Sequence, residues 1–186
     1  MQEWEQEEPL IIERGKGSYL IDTEGKKYLD GTSSIWVNLH GHRHPTLDRA
    51  IKQQLNKIAH STFLGLSNPP AIELARELIH IAPKGLTRVF YSDNGSTAVE
   101  IALKMAVQYW QQRHPEAGQK HTFLHLKLAY HGDTIGAVSV GNIDLFHARF
   151  KPLLFPTVEV EPPHCYRCPL KLTYPSCNLA CMEPIE

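Results

Sequence analysis

The sequence predicts an α/β protein built on a largely parallel sheet, and three observations predict it. Two short β-branched and aromatic runs, Thr87 to Tyr91 and Thr122 to Leu126, carry the strand signal. Each leads into a polar turn containing glycine, at Ser92–Ser96 and at Tyr130–Gly136, and a helical pattern follows the first of them. Strands alternating with helices form layers around a parallel sheet, and ligands of such sheets gather at the carboxyl ends of the strands. Both turns fall at such ends.

Taken in order, residues 18 to 30 read as a hairpin, two short strands around a Thr23-Glu24-Gly25-Lys26 turn. Residues 30 to 45 are too rich in Gly, Ser and His for a plain element, and read as a functional loop. A helix follows from Thr46 to about Ala59, with Leu47, Ile51, Leu55 and Ile58 on one face. The next runs from about Pro70 to Ile81, capped by Asn68 and stopped by Pro83. Residues 115 to 120 read as a loop. From about Lys151 the tail is proline-rich and loses the alternation.

The helix after Tyr91 is the centre of the reading. Its apolar residues fall at Ile101, Ala102, Met105, Ala106 and Tyr109, while Glu100, Lys104 and Gln108 share the opposite face, where Glu100 and Lys104 can pair. Thr97 followed by Glu100 has the spacing of a capping box, which puts the amides of Gly95, Ser96 and Thr97 at the helix start. First-turn N–H groups lack helical acceptors, and the summed peptide dipoles add partial positive charge there. An anion such as phosphate suits that position, with Gly95 admitting close approach and the Ser96 and Thr97 hydroxyls as further donors.

Composition excludes several classes. The chain has 186 residues, 42% of them hydrophobic, and a net charge of −1 with both signs mixed throughout. Nothing in that balance suggests a nucleic-acid or anionic-membrane partner. No apolar run approaches the roughly 20 residues that span a bilayer, and the start is acidic where a secretory signal is basic and then apolar. A cytoplasmic protein is expected. Two histidine sets, His40, His42, His44 and His121, His125, His131, lack a matching carboxylate or cysteine, and no metal is assigned to them. The four cysteines, Cys165, Cys168, Cys177 and Cys181, have spacing reminiscent of a zinc or iron–sulfur site. Reduced, unligated thiols are the default reading, with a non-catalytic metal-binding piece as an alternative.

Three stretches together resemble the class III aminotransferases, fold-type I enzymes that use pyridoxal 5'-phosphate. They are Asp30-Gly31 with Ser34-Ile35-Trp36 and Gly41-His42-Arg43-His44-Pro45; Ser92 through Glu100; and Tyr130-His131-Gly132-Asp133-Thr134. The resemblance covers nearly the whole chain and implies a three-layer α/β/α fold. It implies that Gly95 and Ser96 bind the cofactor phosphate, that Tyr130 stacks on the cofactor ring and borders the substrate, and that Trp36 forms a substrate wall suited to a long amino-ketone acid. One branch of the family has two tryptophans in a row where this chain has Ile35 and Trp36. His131 is placed beside the cofactor, and Asp133 is read as a turn or cap residue.

The same resemblance implies what this chain lacks. The family's Schiff-base lysine and the acid beside the pyridine nitrogen lie C-terminal of the Tyr130 turn, beyond Glu186, and none of Lys104, Lys120, Lys127 or Lys151 stands in that lysine's context. No catalytic residue is therefore assigned. The chain is expected to be an N-terminal piece of an enzyme that acts on small molecules as a homodimer. Residues 1–60 would belong to the small domain and substrate loop, and residues 61–186 would begin the cofactor-binding domain. An alternative within the family is an ornithine- or acetylornithine-type ω-aminotransferase.

Overall fold

A computed structural model describes residue 6 and residues 8–114, 120–141 and 143–185, so the expected loop at 115–120 lies mostly outside the described residues. The chain forms two compact units, Met1–Leu86 and Thr87–Glu186. The boundary at residue 60 drawn from the sequence concerns the domains of a whole enzyme, and stays a proposal.

In the first unit, β1 (Ile12–Lys16), β2 (Tyr19–Asp22) and β3 (Lys27–Leu29) form an antiparallel sheet in chain order. The expected hairpin is β2–β3, with Tyr19 opposite Leu29 and Ile21 opposite Lys27. Gly25 takes the left-handed conformation that the turn requires, at φ 85°. Asp22 ties this turn together, accepting from the amides of Glu24 at 3.0 Å and Lys26 at 2.8 Å and from the Tyr28 hydroxyl at 2.9 Å. Burial opposes its ionisation, but these hydrogen bonds win and hold its carboxyl below the usual range. β1, which the sequence reading left out, pairs with β2 across an irregularity between Ile12 and Arg14.

The loop after β3 contains a single left-handed turn, α1 (Ser33–Trp36), with φ between 49° and 69° at all four residues. Helix α2 (Pro45–Leu55) ends before Ile58, shorter than its apolar spacing suggests. Helix α3 (Pro69–Ile81) starts as expected, with the Asn68 side chain accepting from the Ala71 amide at 3.1 Å.

In the second unit, α4 (Gly95–Arg113) precedes β4 (Phe123–Leu126), α5 (Ile135–Ser139), α6 (Asp144–His147) and β5 (Thr157–Val160). β4 and β5 pair in parallel with Phe123 opposite Thr157 and Leu126 opposite Val160, as the parallel-sheet expectation requires. His125 of β4 is buried and satisfied within this pair, 3.2 Å from the Thr157 hydroxyl and 3.1 Å from the Leu126 carbonyl. Ala137, Val138, Val140 and Val160 are the buried apolar residues of this unit among those described. Among the described residues, no helix of either unit is long and apolar enough to cross a membrane.

Two expectations need correction here. Thr87–Tyr91 leads into α4 but joins neither sheet, because no strand lies against it among the described residues and a lone strand gains no ladder bonds. The side of α4 that meets β4 carries the expected Ala102 and Ala106 but also Val99, Leu103, Val107 and Trp110, all sharing clefts with Phe123 and Leu124, whereas Met105 and Tyr109 are exposed. A helix apolar on more than one side gives no single direction from periodicity.

Candidate functional site

The start of α4 is set by Asn94. Its side chain accepts from the Thr97 amide at 3.0 Å, while the Asn94 amide donates to the Thr97 hydroxyl at 3.2 Å. The capping box thus runs from Asn94 to Thr97, three residues earlier than the Thr97–Glu100 spacing suggested. Asparagine is as good a cap as threonine, and the extended backbone at Asn94 decides between them. Gly95 and Ser96 then occupy the first two helical positions, where amides have no intrahelical acceptor. The Thr97 hydroxyl, expected to be a ligand donor, instead donates to Asp93 at 2.6 Å. That bond, followed by the Asp93 residue's own amide, holds the Asp93 carboxyl below its usual range.

Glu100 has a different task from the one its spacing suggested. Its Oε1 accepts from the buried Gly136 amide at 2.7 Å, which joins α4 to the start of α5. Gly132, at φ 117°, lies against Ser96, and a Cβ there would stand 2.7 Å from the Ser96 Cβ. The Tyr130–Asp133 turn is therefore seated on the N-terminus of α4. Sequence reasoning placed both features at strand ends, and the structure brings Ser96 and this turn into contact.

Within the turn, the Tyr130 hydroxyl donates to Asp133 Oδ2 at 2.8 Å, and His147 Nε2 stands 3.2 Å from Asp133 Oδ1. The Tyr130 and His147 rings are parallel within 7°, with centroids 6.3 Å apart, and about half of Tyr130 remains exposed. The bond to Asp133 holds the Tyr130 hydroxyl above the usual phenol range, and that same bond, then His147, holds Asp133 below the usual carboxylate range. Tyr130 is thus kept protonated and aimed. Sequence reasoning missed His147, because it lies 14 positions beyond Asp133 and belongs to no motif. The neighbouring Thr134 hydroxyl is buried with no hydrogen-bond partner among the described residues. His131 is exposed, and its ring edge would lie 3.3 Å from a Cβ at Gly141.

Trp36 belongs to the first unit. It is 75% exposed in the left-handed turn α1, beside the exposed Ile35 and Val37. Asp30 holds that turn, accepting from the Ser34 amide at 2.9 Å and the Ser34 hydroxyl at 2.8 Å. His42 Nε2 reaches the same carboxylate at 2.8 Å, and His42 is bridged to Gly17 by backbone bonds in both directions. Bonds from the Ser34 amide, the Ser34 hydroxyl and His42, in that order, hold Asp30 below the usual carboxylate range.

The four cysteines are free thiols and line one small cavity with Pro162 and Tyr174. Among the described residues no group of three or more His, Cys, Asp or Glu is arranged to hold a metal ion.

The whole chain, residues 1–186, matches the model of the family described as Aminotransferase class-III. It is 53% identical over its full length to the adenosylmethionine-8-amino-7-oxononanoate aminotransferase of Geobacter sulfurreducens, covering 41% of that protein. It is 59% identical to the Staphylococcus aureus protein of the same name, over 88% of this chain and 36% of the relative. Among solved structures, that of the Methanocaldococcus jannaschii adenosylmethionine-8-amino-7-oxononanoate aminotransferase superposes with a TM-score of 0.81 at 53% identity, covering 88% of this chain and 37% of that one. A PLP-bound amine transaminase from an uncultivated Pseudomonas species superposes with a TM-score of 0.82 at 33% identity, over 97% of this chain and 41% of that one. The chain thus spans well under half the length of the relatives it matches. The fold-type I α/β architecture expected from the sequence holds. Matched along its entire length, the chain belongs to the class-III aminotransferase family.

Proposed function

We propose that this chain is the N-terminal part of a pyridoxal 5'-phosphate-dependent aminotransferase that converts 8-amino-7-oxononanoate to 7,8-diaminononanoate in biotin biosynthesis. The amino donor is S-adenosylmethionine or lysine. The seating of Gly132 on Ser96 carries this reading, because it joins an anion-binding helix start to an aromatic turn in one place. The names shared by relatives at 53% and 59% identity support the choice of substrate.

The residues present fit the cofactor. Space is open where a Cβ of Gly95 would point, and the Gly95 and Ser96 amides with the Ser96 hydroxyl form a donor set for a phosphate dianion. The exposed part of Tyr130 offers a flat surface for a planar ring, and such contacts contribute about 0.5–1.5 kcal/mol beyond burial. When bound, pyridoxal phosphate supplies an electron sink for the carbon that loses its proton. Gly95 and Ser96 anchor it by the phosphate, and Tyr130 fixes the plane of its ring. The Tyr130 proton stays on the hydroxyl, shared with Asp133, so this side chain orients and does not act as a base. Trp36 is read as a wall for the hydrocarbon part of the amino-ketone acid. The lysine that binds the cofactor covalently and the acid beside its ring nitrogen are assigned to the remainder of the protein. The whole protein is read as a cytoplasmic homodimer without a nucleic-acid or membrane partner.

The test is an assay of the full gene product with 8-amino-7-oxononanoate and each donor in turn, beside ornithine and acetylornithine. Turnover of the amino-ketone acid at a kcat/KM well above that of the others is expected. Preference for ornithine or acetylornithine would replace this reading with the ω-aminotransferase one. Ser96→Ala and Tyr130→Ala should each lower the amount of pyridoxal phosphate retained through gel filtration, and full retention in both would sink the site assignment.

A further inference from the structure

We propose that His147 is a positioning residue for Tyr130, acting through Asp133. The inference rests on the reading of Tyr130 as the ring that faces the cofactor. Asp133 is poorly placed to hold anything by itself, since its side chain is 72% exposed and such a carboxylate turns freely in water. His147 is the fixed end of the chain of contacts. Its side chain is 4% exposed, and the Ile143 amide donates to its Nδ1 at 3.3 Å. Because Nδ1 accepts, the ring proton resides on Nε2, and it is this N–H that meets Asp133 Oδ1 at 3.2 Å.

The other carboxylate oxygen takes the Tyr130 hydroxyl at 2.8 Å. Both ends of the tyrosine are then set. The hydroxyl is held by Asp133, and the ring runs parallel to the buried imidazole within 7°. About half of Tyr130 remains exposed, which leaves part of its ring for a planar ligand. A cofactor ring lying on Tyr130 would then share the orientation of the buried imidazole.

The experiment uses the full gene product and two variants that separate hydrogen bond from ring. His147→Phe keeps a flat ring but removes the donor; His147→Gln keeps an N–H toward Asp133 but removes the ring. Pyridoxal phosphate affinity and the visible circular dichroism of the bound cofactor, which reports its orientation, are measured with thermal unfolding alongside. The phenylalanine variant should bind the cofactor about tenfold more weakly, the scale of one lost hydrogen bond to a charged group, with an altered dichroic band. Glutamine should recover most of both. Unchanged affinity and dichroism in His147→Phe, or glutamine no better than phenylalanine at equal thermal stability, would overturn the proposal. Should His147→Phe fail to fold, Tyr130→Phe decides, because it cuts the same chain at its exposed end and must change the dichroism; an unchanged band there overturns it. Tyr130→Ala separates the two readings. If it leaves the dichroic band intact, the assignment of Tyr130 itself is wrong; if it abolishes the band while the His147 variants do nothing, only the role of His147 is lost.

Discussion

Gly132 rests against Ser96 so closely that a methyl group at Gly132 would stand 2.7 Å from the Ser96 Cβ and 3.0 Å from its Cα. The contact fixes the Tyr130 turn on the first turn of α4, and it needs a residue with no side chain at φ 117°. Gly132→Ala should therefore cost about 2–4 kcal/mol, from left-handed backbone strain and overpacking together. Gly95 is the opposite case. Nothing lies within 4 Å of a Cβ built there, so Gly95→Ala should leave urea unfolding within about 1 kcal/mol of wild type while weakening pyridoxal phosphate binding. Equal loss of stability in both variants would contradict this division between a packing glycine and a binding glycine.

The cap of α4 makes a separate prediction. Asn94→Ala removes the acceptor for the Thr97 amide and should cost about 1 kcal/mol, whereas Asn94→Asp should retain most of the stability. Thermal unfolding of both variants measures it. If instead Asn94→Ala is neutral and Glu100→Ala alone weakens the helix start, the capping box sits where the Thr97–Glu100 spacing placed it.

Much of the chain was legible because its signals are local. The β2–β3 hairpin, the Asn68 cap and the glycine-bearing turns after the two strand-like runs each depend on a few consecutive residues. What escaped depends on partners far along the chain. Thr157–Val160 alternates like a strand, but the prolines at 156 and 162 made the region read as irregular, and only its pairing with β4 reveals β5. Thr87–Tyr91 has strand composition and finds no strand beside it among the described residues. His147 carries no motif, and its importance exists only once Asp133 and Tyr130 are placed next to it. The start of α4 at Gly95 and Ser96 was placed correctly, while its cap was misassigned by three residues because Asn94 and Thr97 are both good caps.

The loop that carries Trp36 should respond to acid. The Ser34 amide, the Ser34 hydroxyl and His42 depress the Asp30 carboxyl below its unfolded value, so the ionised form is favoured when the loop is formed. A depressed carboxylate contributes stability that is fully present above the unfolded pKa, near 4, and is lost as pH falls through the folded value. Four consecutive left-handed residues are held against their intrinsic preference by this contact. In the 186-residue chain with Trp4 and Trp110 replaced by Phe, the emission of Trp36 should stay constant from pH 7 to about pH 5 and shift below about pH 4. Asp30→Asn should show the shifted emission already at pH 7. Constant emission throughout, in both proteins, would mean that Asp30 does not hold the turn.

Glu100 joins α4 to α5 through a carboxylate that accepts from the buried Gly136 amide, and a Cβ at Gly136 would meet the same Oε1 at 2.6 Å. Two helices are thereby locked by one acceptor that no sequence spacing connects. Removing it leaves a buried N–H without a partner, which costs about 1–3 kcal/mol, more than the hydrogen bond itself contributes net. Glu100→Ala should lose that amount, and Glu100→Gln, which keeps a carbonyl oxygen near the same place, should lose less than half as much. Because α5 follows directly from the Tyr130–Thr134 turn, the alanine variant should also raise the dissociation constant for pyridoxal phosphate, although Glu100 is not among the residues assigned to it. Unfolding and cofactor titration on the same samples check both. A Glu100→Ala protein with wild-type cofactor affinity but lowered stability would confine this residue to holding the helices together, with no influence on how the turn meets Ser96.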